Sequence, residues 1–262
     1  MLQLLIVSAL LAPIPVQDEG RPAPDTARVE AAVMALRVAS KAKDPAELVI
    51  AIQGQSDVLD AEVVGWIAKG LNHKDESVQN ASLYALRFMD HPAAVKALHK
   101  LVKRDRKLHK SPERYENVLR AIGQHGDVAS IPILLDKFFN VQDHKVIKAR
   151  IYSLGNIRSK ESVKALFQVM KSGDRKRVQN YMKEIRISLM TLTGVDQGTS
   201  QDLWIKWWNN NKRTLEVAPR APLLPEAVKR RWDSFWGNRR TYDRSKKRRE
   251  RGSDPETGGD GS

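Results

Sequence analysis

Cysteine is absent from all 262 residues of the chain. This absence excludes disulfide bonds, thiolate metal sites, a cysteine nucleophile and a lipid-modified N-terminal cysteine. It leaves the redox compartment open, because a protein without disulfides can reside on either side of a membrane. Aromatic residues are also scarce, at 6% of the chain, so a cluster of them carries information.

Motifs of enzymatic chemistry are missing as well. The sequence has no glycine-rich phosphate loop, no G-x-S-x-G motif, no EF-hand loop and no H-E-x-x-H or similar metal spacing. Most histidines fall where we expect turns between helices, which favours exposed turn residues over metal ligands. They are His73, His91, His99, His109, His125 and His144. We therefore expect no catalytic residue, no metal and no cofactor.

One apolar run stands out, at residues 2–11, and its length suits a signal peptide rather than a membrane span. Four prolines between residues 13 and 24 indicate a spacer after it. No lysine or arginine precedes the run, which is atypical of a signal. The favoured interpretation of residues 1–24 is a signal peptide with a spacer, which implies export to the periplasm or cell envelope. The alternative is a first core helix, in a cytoplasmic protein.

Strand-type alternation is nearly absent, whereas apolar residues recur at helical spacing from residue 25 onward. In DTARVEAAVMALRVASKAKD the apolar stripe consists of Val29, Ala32, Val33, Leu36 and Ala39. The boundaries between segments carry Asp, Ser, Gly or Pro, which cap or interrupt helices. The sequence therefore predicts an all-α protein.

A loose repeat runs through these segments. Three segments share one pattern: the end of a helix, a polar turn, and the start of a new helix with an apolar pair. They are ALRFMDHPAAVKALHKLV, AIGQHGDVASIPILLDKF and SLGNIRSKESVKALFQVM. Leu98, Leu134 and Leu166 take equivalent places, at spacings of 36 and 32 residues. Such a helical hairpin cannot bury its apolar face alone. The repeat predicts an α-solenoid of stacked antiparallel helical hairpins.

These repeats resemble the short HEAT-like repeats of bacterial proteins. DESVQNASLYALRFMDHPAAVKALHKLVK carries an acidic cap and then the family's apolar positions, which are Val78, Ala81, Ala85, Leu86, Val95, Ala97 and Leu98. The likeness extends from about residue 62 to residue 194, and RDRKLHKS departs from it by lengthening a turn. The resemblance implies a HEAT-like superhelix, a fold that hosts scaffolds more often than enzymes.

Half of the six tryptophans lie within five residues, at Trp204, Trp207 and Trp208. Their spacing places them on one face of a helix over residues 200–212. We interpret this helix as a structural cap, because the last hairpin of a solenoid would otherwise expose an apolar flank. A cage for a sugar or cation and a membrane-interface anchor are the alternatives. The stretch also resembles the ending of many bacterial envelope HEAT-repeat proteins. With this helix as its last element, the helical unit is expected to extend over residues 25–213.

The formal net charge is +14, which favours acidic partners. In HEAT arrays the second helix of each hairpin lines the concave side. On two such helices, the residues that lie off the apolar stripe are expected to be exposed on the concave side. We call this set of residues the basic stripe. They are Lys145, Lys148, Tyr152, Lys176, Lys183 and Arg186. An ordinary solvated face is the alternative interpretation.

Residues 214–262 are expected to form a linker, a short amphipathic segment and a disordered basic tail. Between residues 226 and 251, eleven Lys/Arg oppose four Asp/Glu, which gives +7. The binding cations expected there are Lys229, Arg230, Arg231, Arg239, Arg240, Lys246, Lys247, Arg248 and Arg249. Interleaved aromatics would stack on bases, or Val228, Trp232, Phe235 and Trp236 would dock on the helices. An anionic polymer or membrane surface would attract the tail as readily as nucleic acid.

Three functions remain open. The first is a monomeric, non-enzymatic HEAT-repeat scaffold that binds a protein partner, with its tail on an anionic surface. The second is a nucleic-acid-binding protein similar to HEAT-like DNA alkyl-repair glycosylases, although that family's catalytic Asp and Trp cannot be placed in this sequence. The third is a bilin-lyase-like HEAT enzyme, which would bind a chromophore that no residue here specifically requires.

Overall fold

A computed structural model describes residues 24–42, 44–105, 107–140 and 142–237. These residues form thirteen α-helices and three short 3-10 segments, with no strand among them, so the all-α prediction is confirmed. The helices are α1 Thr26–Lys41, α2 Pro45–Gly54, α3 Ala61–Lys69, α4 Glu76–Phe88, α5 Pro92–Arg104, α6 Pro112–Gln124, α7 Ile131–Leu135, α8 His144–Asn156, α9 Lys160–Ser172, α10 Arg175–Gln179, α11 Met182–Thr193, α12 Gln201–Asn211 and α13 Glu226–Trp236.

Some sequence predictions fall outside these residues. The run expected to be a signal peptide, residues 2–11, is one of them. The other is the distal part of the tail, with Arg239, Arg240, Lys246, Lys247, Arg248 and Arg249.

Helix starts follow the capping chemistry of the sequence. The carboxylates of Asp25, Asp44, Asp60 and Asp143 accept hydrogen bonds from first-turn amides of α1, α2, α3 and α8. Proline occupies the first turn of α2, α5 and α6, where its missing N–H costs nothing. Local residues therefore set most of the boundaries.

Alternate helices pack side by side. In one series, α2 contacts α4, α4 contacts α6, α6 contacts α8, and α8 contacts α11. In the other, α1 contacts α3, α3 contacts α5, α7 contacts α9, and α9 contacts α12. The two series share a single apolar core, which extends from Ala32 in α1 to Trp208 in α12.

Glycine–serine pairs allow neighbouring helices to approach closely. A Cβ added at Gly123 in α6 would lie 2.7 Å from the Cα of Ser153 in α8, and one added at Gly155 in α8 would lie 2.9 Å from the Cα of Ser188 in α11. Both serine hydroxyls donate to backbone carbonyls of the neighbouring helix, at 2.8 and 3.1 Å. The same arrangement thus recurs at two successive helix contacts.

Beyond α12 the chain crosses other helices before it forms α13. The Arg158 side chain donates to the carbonyl of Ala218 at 2.6 Å, and Lys160 Nζ donates to the carbonyl of Arg213 at 3.1 Å. Leu215 and Val217 pack against the main core. These contacts fix the path that delivers α13 to α8 and α11.

Candidate interaction surface

Helix α13 is docked through its aromatic face. Val228 and Trp236 are buried, and Trp232 and Phe235 are partly buried, against side chains of α8 and α11. The ring of Phe235 stacks on Tyr152, with centroids 4.2 Å apart. The docked alternative for this segment is therefore the one observed. Its aromatic rings face the protein and are not available to stack on bases.

Tyr152 is expected to be exposed in the basic stripe, and this prediction is wrong. Its side chain is 6% exposed and lies beneath α13 together with Ile187 and Met190. The helical pattern of α8 leaves Tyr152 off the core stripe, but a segment far along the chain covers it. This burial, and secondarily the charge of Glu184, raise the pKa of the Tyr152 hydroxyl well above its usual value.

Two further residues of the basic stripe form ion pairs. Lys148 Nζ lies 2.9 Å from Oε1 of Glu184. Arg186 donates twice to Asp196, through Nε at 2.7 Å and through Nη2 at 2.5 Å. This bidentate pair lowers the pKa of the Asp196 carboxyl and raises that of Arg186. Their charges are therefore partly neutralised within the protein.

The basic stripe is not continuous. Lys145, Lys176 and Lys183 are exposed, but they lie on α8, α10 and α11 in different surroundings. Lys145 lines a cavity of about 900 Å³ beside the turn after α7, whereas Lys183 lines a separate groove next to α13. The predicted stripe is therefore divided between two places.

We call the second of these places the cationic groove. It lies between α8, α11 and α13, has a volume of about 720 Å³, and is lined by Lys148 and Lys183 together with Arg230 and Arg231. It thus unites part of the basic stripe with the first residues of the tail. Glu184 also lines it, so four cations meet one carboxylate and the groove favours anionic groups. The neighbouring cation Lys229 is instead paired with Asp233 at 2.5 Å.

Two arginines that the sequence analysis does not single out hold the C-terminal end of α13. Arg87 Nη2 donates to the carbonyl of Trp236 at 3.0 Å, and Arg120 Nη2 donates to the carbonyl of Phe235. The Arg120 guanidinium also lies 4.9 Å from the centre of the Phe235 ring. Burial and the charge of Arg120 lower the pKa of Arg87. The two cations face the carbonyl end of a helix dipole.

Arg150 is a further residue absent from the sequence prediction. It is 2% exposed and donates to the carbonyls of Leu134 and Asp136 and to the hydroxyl of Tyr115. These acceptors are uncharged, and the two carbonyls border the turn after α7, whereas Tyr115 belongs to α6. Arg150 therefore ties that turn to α6 and α8. Its sequence signal is a charged residue next to the apolar stripe of α8.

The tryptophan cluster contributes to the core. Trp204 is 0% exposed, Trp208 is buried, and Trp207 is partly buried against the same core. The Trp208 ring stacks on Phe167 of α9 at 4.8 Å, and Trp204 Nε1 donates to the carbonyl of Gly198 at 2.9 Å. A cage for a sugar or cation requires exposed ring faces, which Trp204 does not have.

Four histidines differ from the expectation of exposed turn residues, and two of them, His73 and His91, lie at turns but are partly buried. His99 lies inside α5 and shares a hydrogen bond with Ser130 Oγ at 2.8 Å, while His125 donates to the carbonyl of Leu86 at 2.8 Å. Both are partly buried, and this burial lowers the pKa of each imidazole. Within the described ranges, no group of three or more His, Asp or Glu is placed to hold a metal.

None of the helices described is both long enough and apolar enough to cross a bilayer.

Comparison with known proteins identifies no relative. No family model matches the chain, and no curated protein matches it. Among solved structures, it is similar to an engineered protein, Northeast Structural Genomics Consortium target OR329. The two share 17% identity with a TM-score of 0.36, over 80% of this chain and 95% of that one. Similarity at this level supports no statement about function.

Proposed function

We propose that the chain is a non-enzymatic scaffold of stacked HEAT-like hairpins that binds an acidic segment of a protein partner at the cationic groove. Two observations support the stacked arrangement. Alternate helices form two series of neighbours around one core, and the glycine–serine contact recurs between successive helices. Quasi-repetitive packing of this kind is typical of α-solenoids.

The single observation that carries the binding proposal is the convergence of cations from distant parts of the sequence. Lys183 comes from α11, whereas Arg230 and Arg231 come from α13, and all three are exposed around one groove. Exposed charges of one sign around a concave surface raise the local concentration of an oppositely charged partner and accelerate its association. Binding is therefore expected to weaken as salt concentration rises.

The proposal also assigns a role to the basic tail and a location to the protein. Residues beyond α13 carry most of the remaining cations of the tail, and this basic segment would tether the scaffold to an anionic polymer or membrane surface. The apolar run at residues 2–11 favours an exported scaffold.

Charge reversal in the groove is expected to weaken the binding of an acidic probe. In Lys183→Glu/Arg231→Glu, two cations that line the groove become repulsive carboxylates. We expect a fluorescein-labelled oligoglutamate peptide to bind this variant about tenfold more weakly than the wild-type chain. Fluorescence anisotropy at low and physiological salt measures the change.

A charge-matched control separates the groove from general basicity. Lys164→Glu/Lys171→Glu reverses two exposed cations of α9 and lowers the formal net charge by the same amount. It should bind the peptide within about twofold of wild type. Equal losses in both variants would mean that net charge alone attracts the peptide. Tighter, groove-dependent binding of a short DNA duplex would favour nucleic acid as the partner instead.

A further inference from the structure

We infer that α13 occupies a binding site for a helix of the partner protein. The face of α4, α6, α8 and α11 beneath it would then be the receptor for an amphipathic helix that ends in a carboxylate. This inference rests on the proposed protein partner and specifies the segment that the partner offers. The cationic groove at the edge of α13 would attract the incoming segment, and Arg87 and Arg120 would hold its end.

The first supporting observation is that most apolar contacts of α13 lie outside the main core. Val228, Trp232 and Trp236 form a cluster with Tyr152, Ile187 and Met190, while Phe235 packs against both this cluster and the core that joins α1 to α12. Release of α13 would therefore uncover an apolar strip and withdraw one partly buried side chain from the edge of the main core. An amphipathic helix lying in an apolar groove is a common mode of protein recognition.

The second observation is that hydrogen bonding at this contact is incomplete. Within the part of the chain that the structure describes, seven buried side-chain polar atoms lack a hydrogen-bond partner, and four of these belong to residues around α13. They are Arg87 Nε, Arg120 Nε, Glu184 Oε2 and Trp236 Nε1. Each unpaired buried group costs free energy, so α13 is held less firmly than its aromatic contacts alone would suggest.

The third observation concerns the acceptors of the two arginines. Arg87 and Arg120 lie side by side and donate to main-chain carbonyls at the end of α13, which carry no full charge. Arg120 also forms a long ion pair with Glu116, with Nη1 and Oε1 4.0 Å apart, which is beyond hydrogen-bond distance and balances the charge of one of the two cations only in part. A carboxylate in place of the Trp236 carbonyl would form charge-assisted bonds and reduce the repulsion between the two cations. The site therefore prefers a helix that ends in a carboxylate to the continuing chain of α13.

The test uses the full chain and a peptide with the sequence of residues 225–236. The peptide is labelled at its N-terminus and made with either a free carboxylate or an amide at its C-terminus, so the two forms differ at the group that Arg87 contacts. The receptor is the chain with its own helix loosened by Trp232→Ala/Trp236→Ala. We expect the free acid to bind this variant about tenfold or more tightly than it binds wild type, because α13 no longer competes.

Two comparisons address the role of the arginines. In the loosened chain, the free acid should bind about fivefold more tightly than the amide. Arg87→Gln/Arg120→Gln should abolish this difference while leaving amide binding in place. Leu223→Ala changes a fully exposed linker side chain and should bind both peptides as wild type does. Circular dichroism of each variant verifies the helical fold.

Several outcomes would overturn the inference. Equal binding of acid and amide would refute the carboxylate site, and equal binding by wild-type and loosened chains would refute α13 as a competitor. Dimerisation of the loosened chain, seen by sedimentation, would indicate exchange of α13 between copies instead. The oligoglutamate test at Lys183 and Arg231 is independent of these measurements. If it succeeds while acid and amide bind equally, the proposed cationic groove stands and only the present inference is refuted.

Discussion

Replacing Trp204 with alanine should lower the free energy of unfolding by about 3–5 kcal/mol, the range for removing a large aromatic side chain from a core. Trp204 is fully buried, and its indole N–H is paired with the carbonyl of Gly198 at 2.9 Å. The substitution removes apolar contact, leaves a cavity beside α9 and releases that carbonyl. Urea denaturation followed by circular dichroism measures the change.

The matched control for this prediction lies on the same helix. Trp207 is only partly buried, although the centroid of its ring lies 6.3 Å from that of Phe167 and 5.8 Å from that of Trp204. Trp207→Ala should therefore cost clearly less than Trp204→Ala. Equal costs, or a negligible cost at Trp204, would contradict the burial of Trp204 in the core.

Replacing Gly123 with alanine should separate α6 from α8 and lower the free energy of unfolding by about 1–3 kcal/mol or more. The added methyl group would lie 2.7 Å from the Cα of Ser153, which is backbone and cannot rotate away. A small shift would also strain the bond that Ser153 donates to the carbonyl of Leu119 at 2.8 Å. Thermal and urea denaturation both report the loss.

Gly65 provides the control for this prediction. It lies in α3, and a Cβ added there meets nothing within 4 Å. Gly65→Ala should be neutral or stabilise the protein by about 0.5–1 kcal/mol, because alanine reduces the backbone freedom that folding must restrict. A Gly123→Ala variant as stable as Gly65→Ala would contradict the close contact between α6 and α8.

Local chemistry accounts for the part of the fold that the sequence predicts well. Aspartate caps, prolines in first turns and helical spacing lie within a few residues of each helix start, and α1, α2, α3 and α8 each begin directly after an aspartate cap. Helical spacing places Val146, Ile147, Ile151 and Leu154 on one stripe of α8, and all four are buried. Patterns that span only a few residues can be predicted without knowing which distant segments contact each other.

The errors arise where a distant segment returns to the surface. Tyr152 lies off the apolar stripe of α8 and would be exposed if the chain ended at α12, but α13 covers it. The same docking divides the predicted basic stripe and brings Arg230 and Arg231 to Lys183. The aromatic face of α13 predicts docking in general, but nothing in its spacing identifies the helices that receive it.

Arg87 and Arg120 carry no usable repeat signal in the sequence. They stand 33 residues apart on neighbouring helices α4 and α6, but the 36-residue spacing of these repeats places Gly123, not Arg120, at the position equivalent to Arg87. Their common contact is the end of α13, which depends on the fold. Gly123 and Gly155 do take equivalent places, at the 32-residue spacing, and small residues at such positions favour close helix contact.

The most direct test of the account is the position of α13 in the free chain. The sequence has no native cysteine, so spin labels at Ser234→Cys in α13 and Lys164→Cys in α9 are the only labels introduced. Pulsed electron paramagnetic resonance should give one narrow distance distribution that matches the separation of these sites in the structure. A broad distribution extending to much longer distances would show that α13 is not docked, which would contradict both the cationic groove and the receptor face.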